Sequence, residues 1–237
     1  LPSRLYDLDG LRVGVIGLGN VSSLNSIYDE SNSMGIKVIE PEEVLRREAS
    51  ILRSQGADIV IALSHMGLHE DIHHAKTVEG VDIYIGGHHH IATKPPIVVT
   101  NEKTGKSIPI VHSGAFAKFI GRVDFVIRDG VIQSFDHSLR PVANYTDESG
   151  TYQLPRKAGV IDILEEYEEA LATQYNTAQV IGYAEETLRR YSLNGGDSML
   201  GNFASEAMRF YPGVETEIAL TNTLGIRADI PAGDITV

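Results

Sequence analysis

The sequence predicts a layered α/β protein, and three observations carry that prediction. Apolar runs of strand length flank a helical period over residues 57–86, polar-turn hairpins follow beyond residue 97, and a second α/β region begins near residue 179. Strand–helix–strand units with short connections favour a parallel pair. Hairpins placed after them argue for a layered arrangement and against a plain Rossmann sheet.

Each element follows from local chemistry. Leu11–Gly17 is a strand entered from the Asp9-Gly10 turn, and the polar stretch Gly19–Gly35 reads as a long loop. Pro41-Glu42-Glu43 opens a helix, with proline in the first turn and acids at its positive end. That helix carries Val44, Leu45, Ile51 and Leu52 and ends at Gln55-Gly56. Strand 57–64, a helix near 69–78 and strand 81–86 form the βαβ pattern. Residues 97–100 and 108–112 flank the polar turn 101–106 and form a hairpin; residues 121–127 and 131–135 form another around Arg128-Asp129-Gly130. The stretch 144–150 is linker-like in composition. After Pro155, Val160, Ile163, Leu164, Tyr167 and Leu171 recur at helical spacing, with Glu165, Glu166, Glu168 and Glu169 on a solvated face. Beyond them come a start at Gln179–Gly182, a helix near 199–209 and a strand at 217–221.

Composition narrows the partners. Lysine and arginine total 20 against 32 aspartates and glutamates, a formal charge of −12 that disfavours a nucleic-acid backbone. Small anionic substrates stay open, because a bound metal inverts the local field. Cysteine is absent, which removes disulfides and thiolate ligands. No stretch approaches the roughly 20 apolar residues that span a bilayer, so no transmembrane segment is expected. Leu1-Pro2-Ser3-Arg4 is not followed by an apolar h-region. The expectation is an excerpt of a longer chain.

The residues that carry chemistry are histidines at strand ends. One strand runs into Gly86-Gly87-His88-His89-His90 and its neighbour ends at Ser64-His65-Met66-Gly67. Neutral imidazoles suit Zn, Mn, Co or Fe. In an extended segment His88 and His90 share one side while His89 faces the other. A cluster of satisfied loop histidines is the plainer reading, and the two strand ends with the Gly-Gly turn favour ligation. His69 and His73, four apart on a helix, suit a metal by spacing, but Glu70, Asp71 and Lys76 mark an exposed polar face. His112 either supports the site or is simply buried. Gly17-Leu18-Gly19-Asn20 lacks the third glycine of a dinucleotide loop.

Taken together, these blocks resemble the calcineurin-like metallophosphoesterases. The resemblance is closest to the 5′-nucleotidase/UDP-sugar hydrolase/cyclic-nucleotide phosphodiesterase group. Ser64–Gly67 and Gly87–His90 are similar to two of its signature blocks, and 110–121, 200–209 and 221–231 to three more. The resemblance implies the C-terminal part of a four-layer α/β/β/α domain over 1–143, a linker and helix over 144–178, and the start of a substrate domain over 179–237. It implies hydrolysis of nucleotide phosphate esters with two divalent metal ions that neutralise the phosphate for in-line attack. His65 and His88 would bind one ion and His90 the other, while Asn222 and Arg227 would contact the nucleotide. A periplasmic, secreted or cell-surface setting follows by the same resemblance.

Departures from the pattern matter too. The Asp-x-His, bridging Asp and Asn-His of the family have no match before Gly10, and Asn20 is followed by Val21. The excerpt by itself is therefore expected to be inactive. Thr223 and Leu224 stand where the family usually carries glycine, which keeps cyclic-nucleotide, nucleotide-sugar or sulfur-ester hydrolysis open. A non-catalytic surface-binding protein is the remaining alternative.

Overall fold

The chain opens on a two-residue hairpin because Asp9 and Gly10 both take positive φ, 52° and 92°, as such a turn requires. The Asp7 carboxylate accepts the Gly10 amide at 2.9 Å and closes it. A computed structural model of the chain describes residues 2–21, 37–128, 130–142, 145–147, 150–152, 157–222 and 225–237. Residues 22–35 of the expected Gly19–Gly35 loop, and Thr223 with Leu224, lie outside the described residues. The chain forms two units, Leu1–Leu154 and Pro155–Val237.

In the first unit, β1 (Ser3–Leu8) and β2 (Leu11–Leu18) begin a six-stranded sheet. It adds β3 (Ile59–Ser64), β4 (Ile83–Gly86), β5 (Ile97–Thr100) and β6 (Ser107–His112) in the order β1-β2-β3-β4-β6-β5. The four central strands are parallel and both edge strands antiparallel. All four parallel strands therefore end along one edge, the side where open α/β sheets place their ligands.

Two helices make this possible by covering one face. Helix α1 (Pro41–Ser54) starts on proline and buries Val44, Leu45, Ala49 and Leu52. Helix α2 (Leu68–Thr77) buries Leu68 and Ala75. Leu45, Ala49, Leu52, Leu68 and Ala75 form one cluster with Ile16, Val60, Ala62, Tyr84 and Ile110 from the strands. Removing that apolar area from water is the main source of stability.

Polar ties hold the starts of the strands. The Arg53 guanidinium at the end of α1 donates to the carbonyls of Ala57, Asp58 and Gly80 and to the Asp82 carboxylate. Asp82 in turn accepts the Val60 amide at 2.8 Å. Asn101 does similar work beside β5: its amide donates to the Ala75 and Val78 carbonyls at the end of α2. Its carbonyl accepts the amides of Lys103 and Thr104, shaping the turn before β6.

Strands β7 (Phe119–Arg128) and β8 (Val131–Pro141) pair antiparallel, longer than the sequence suggests, with a register shift at Val126/Ile127. The linker-like stretch differs from expectation. Its backbone forms a short ladder between β9 (Tyr145–Asp147) and β10 (Gly150–Tyr152).

In the second unit, α3 (Ala158–Tyr175) ends on Asn176 in the left-handed conformation. None of its residues is buried, so its apolar stripe has no described surface to cover. Strands β11 (Val180–Ala184) and β12 (Gly233–Thr236) pair antiparallel. Helix α4 (Met199–Arg209) is capped by Ser198, whose Oγ accepts the Gly201 amide at 2.9 Å. The expected strand at 217–221 is not formed, and Ile218 and Leu220 are exposed. A strand needs a ladder partner for its backbone groups, and no described residue pairs with this segment.

Backbone strain concentrates just after β6, where Phe116 and Ala117 both have positive φ, 58° and 51°. That conformation costs an alanine about 1–2 kcal/mol, and glycine's freedom in the unfolded chain offsets about 0.4–1 of that. Ala117→Gly should therefore stabilise the protein by about 0.5–1 kcal/mol and raise the thermal midpoint by a few degrees. An unchanged or lowered melting temperature contradicts the strain.

Candidate functional site

The histidines gather where the parallel strands end. His65 follows β3 directly, and its amide donates to the Leu18 carbonyl at the end of β2 at 2.9 Å. Ser64 Oγ accepts the Met66 amide, which turns the chain toward α2. On the next strand, β4 passes through Gly86 and Gly87 into His88. The two rings then meet edge to face, with centroids 5.4 Å apart and planes at 64°.

The triple histidine is not extended, which corrects the alternation expected of it. His88 and His90 have positive φ, 78° and 58°, and the His89 amide donates back to the Gly87 carbonyl at 3.1 Å. A tight turn about His88 therefore sends the three rings in three directions. His88 meets His65, His89 lies 5.8 Å from His69, and His90 lies 5.1 Å from Phe116, each measured between ring centroids.

The two glycines serve clearance. Neither has positive φ. A Cβ on Gly87 would lie 3.0 Å from His65 Nδ1, so a side chain there would crowd the ring. A Cβ on Gly86 would lie 2.1 Å from both Asp71 Oδ2 and His112 Nε2. Those two atoms are themselves 2.8 Å apart, with both side chains sealed from water. His112 is thus buried and paired, and Asp71, which the helical pattern puts on a polar face, is its partner. Burial and then the Asp71 charge push the Tyr84 hydroxyl upward in pKa, so it stays protonated.

Beyond the turn, Ala92 bridges to Ser113, and Thr93 and His112 exchange backbone and hydroxyl hydrogen bonds. The segment carrying His90 is thereby pinned to the end of β6.

Electrostatics favour imidazole donors. Partial burial and the neighbouring His89 and His65 hold His88 below the usual histidine range, which leaves its ring neutral near pH 7. Burial likewise lowers His74, which is hydrogen-bonded through Nδ1 to the Glu70 carbonyl at 2.7 Å. His69 and His73 are exposed, as their charged surroundings suggest. Two adjacent imidazoles over a glycine-cleared floor fit a divalent ion as two donors. Among the described residues, no group of three or more His, Asp or Glu stands close enough to hold an ion.

In the second unit, Asn222 and Arg227 are exposed. Asn222 Oδ1 accepts the Gly225 amide at 2.8 Å. The loop after it is organised by Arg190, which sequence inspection missed. Its guanidinium donates to the carbonyls of Ile226 and Arg227, and its amide donates to Asp229.

Comparison with known proteins bears on both units. Residues 180–237 match the family model described as 5′-nucleotidase, C-terminal domain. The trifunctional nucleotide phosphoesterase protein YfkN of Bacillus subtilis is 29% identical over 254 residues, covering 100% of this chain and 16% of that protein. The 5′-nucleotidase of Vibrio cholerae is 24% identical over 268 residues, covering 99% of this chain and 48% of its own length. The crystal structure of a 5′-nucleotidase precursor from Thermus thermophilus superposes with a TM-score of 0.83 at 25% identity, covering 99% and 47% of the two chains. This chain therefore spans about half the length of those two nucleotidases. Its sequence is similar to those of the two nucleotidases, and its mixed α/β fold matches that of the Thermus thermophilus structure.

Gly86→Ala should destabilise the first unit by about 1–3 kcal/mol or more, because neither buried partner has room to yield. Urea denaturation checks this. An unchanged midpoint would mean that the Asp71–His112 pair does not fill that space.

Proposed function

We propose that this chain forms part of a metal-dependent phosphoesterase that hydrolyses nucleotide phosphate esters in the manner of a 5′-nucleotidase. One observation carries the reading: His65 and His88, delivered by adjacent parallel strands, stand with ring centroids 5.4 Å apart. The names of the relatives, nucleotide phosphoesterase and 5′-nucleotidase, support it.

Residue roles follow from the donor chemistry. His65 and His88 ligate one divalent ion, of zinc, manganese, cobalt or iron, and His90 serves a second. Such ions supply positive charge against a phosphate oxygen. The site then offsets locally the negative charge of the whole chain, −12 in sum. Asn222 and Arg227 contact the nucleotide, the planar guanidinium suiting phosphate or ribose oxygens. Residues 1–143 provide the phosphoesterase part, 144–178 the connection and 179–237 the start of the substrate part. No helix among the described residues is long and apolar enough to cross a membrane, and we assign the protein to a compartment outside the cytoplasm.

Two imidazoles do not enclose an ion, so further donors belong to a protein of the relatives' length. The 237-residue chain alone is inactive in this reading. Calorimetric titration with Mn²⁺ or Zn²⁺ should show binding that is lost in His65→Ala/His88→Ala, without release of phosphate from AMP. An unchanged isotherm in the double variant overturns the donor assignment, and metal-dependent phosphate release by the chain overturns its inactivity.

A further inference from the structure

His89 stands between two histidines with proposed metal roles, yet its geometry gives it a different one. Its Nδ1 accepts the backbone amide of Leu68 at 3.1 Å. Leu68 is the first residue of α2, and the capping position before it is Gly67, which makes no side-chain cap. The first amides of a helix have no partner within the helix. His89 caps this one from another loop.

The two loops so joined are the ones that matter. Leu68 ends the short connection that begins with His65, and His89 directly follows His88 in the turn from β4. A single hydrogen bond thus bridges the two histidine-bearing segments. A second, independent observation concerns Gly67. A Cβ there would lie 2.5 Å from His89 Cε1 and 2.7 Å from Nε2, and the residue's φ is 115°. The connection therefore lacks a side chain at the point where the ring crosses it. His89 is further wedged between His88 and His69, with centroid distances of 5.1 and 5.8 Å.

The bond also excludes His89 from ligation. A neutral imidazole that accepts through Nδ1 carries its proton on Nε2, leaving no outward lone pair for an ion. We propose that His89 is a positioning residue, a clasp that fixes the His65 connection against the His88 turn and so sets the spacing of the two rings. This rests on reading His65 and His88 as metal donors.

The test uses the full 237-residue chain and three variants: His89→Ala, His89→Asn and His89→Gln. Asparagine Oδ1 occupies the place of Nδ1 and can accept the Leu68 amide, whereas glutamine places its oxygen near Nε2. Three quantities are read: hydrogen exchange of the Leu68 amide, the nuclear Overhauser contact between the His65 and His88 rings, and Co²⁺ affinity by titration. Alanine and glutamine should speed the exchange, weaken the ring contact and lower Co²⁺ affinity by about 10–100-fold, while asparagine restores all three. Unchanged exchange in His89→Ala overturns the clasp. Faster exchange with ring contact and affinity kept at the parent level also overturns it. If His65→Ala/His88→Ala binds Co²⁺ as the parent does, the donor reading fails separately. The ring contact then decides: its loss in alanine and return in asparagine upholds the clasp, and its persistence in alanine overturns it.

Discussion

Asp71 and His112 meet at 2.8 Å with both side chains sealed from water, and the carboxyl edge of the sheet is arranged around that contact. A buried carboxylate is costly unless it is paired, so α2 and β6 must meet wherever these residues go. The strand between them, β4, can cross the pair only if it carries no side chain on that side. That requirement makes Gly86 a glycine. One neighbour later, Gly87 spares the His65 ring in the same way. The Gly-Gly sequence that precedes His88 is thus a consequence of packing beneath and beside it.

From this edge the candidate site inherits its order. The His88 turn rises from a strand anchored by the buried pair, His89 ties it to the start of α2, and Thr93 ties its far side to His112. At the opposite edge Arg53 and Asp82 gather the strand starts, so both ends of the sheet are cross-linked by charged or polar contacts around an apolar middle. The second unit is built differently. It buries little, and its described loops rely on local devices: the Ser198 cap, the Asn222–Gly225 hydrogen bond and the Arg190 hydrogen bonds to residues 226–229.

Much of this was legible in the residues. Runs such as 57–64 and 81–86 announce buried parallel strands because they are apolar without alternation, and histidines at their ends mark where the candidate site is sought. Asp71 was not legible, because an acid in the first turn of a helix beside Glu70 looks solvated when its partner lies 41 positions away. His89 escaped because two-residue alternation holds only for extended backbone, and positive φ at His88 and His90 breaks it. The run 217–221 has strand composition, yet composition supplies no ladder partner. The stripe on α3 has helical spacing, and spacing alone does not bury it.

The proposed chemistry depends on His65 and His88 acting together as donors to one ion. X-ray absorption at the cobalt edge of the Co²⁺-loaded chain can count these donors, because imidazole rings give a distinctive outer-shell scattering. If both rings donate, the ion carries at least two imidazoles, with one fewer in His65→Ala and one fewer in His88→Ala. An imidazole count that stays the same in both variants would contradict it.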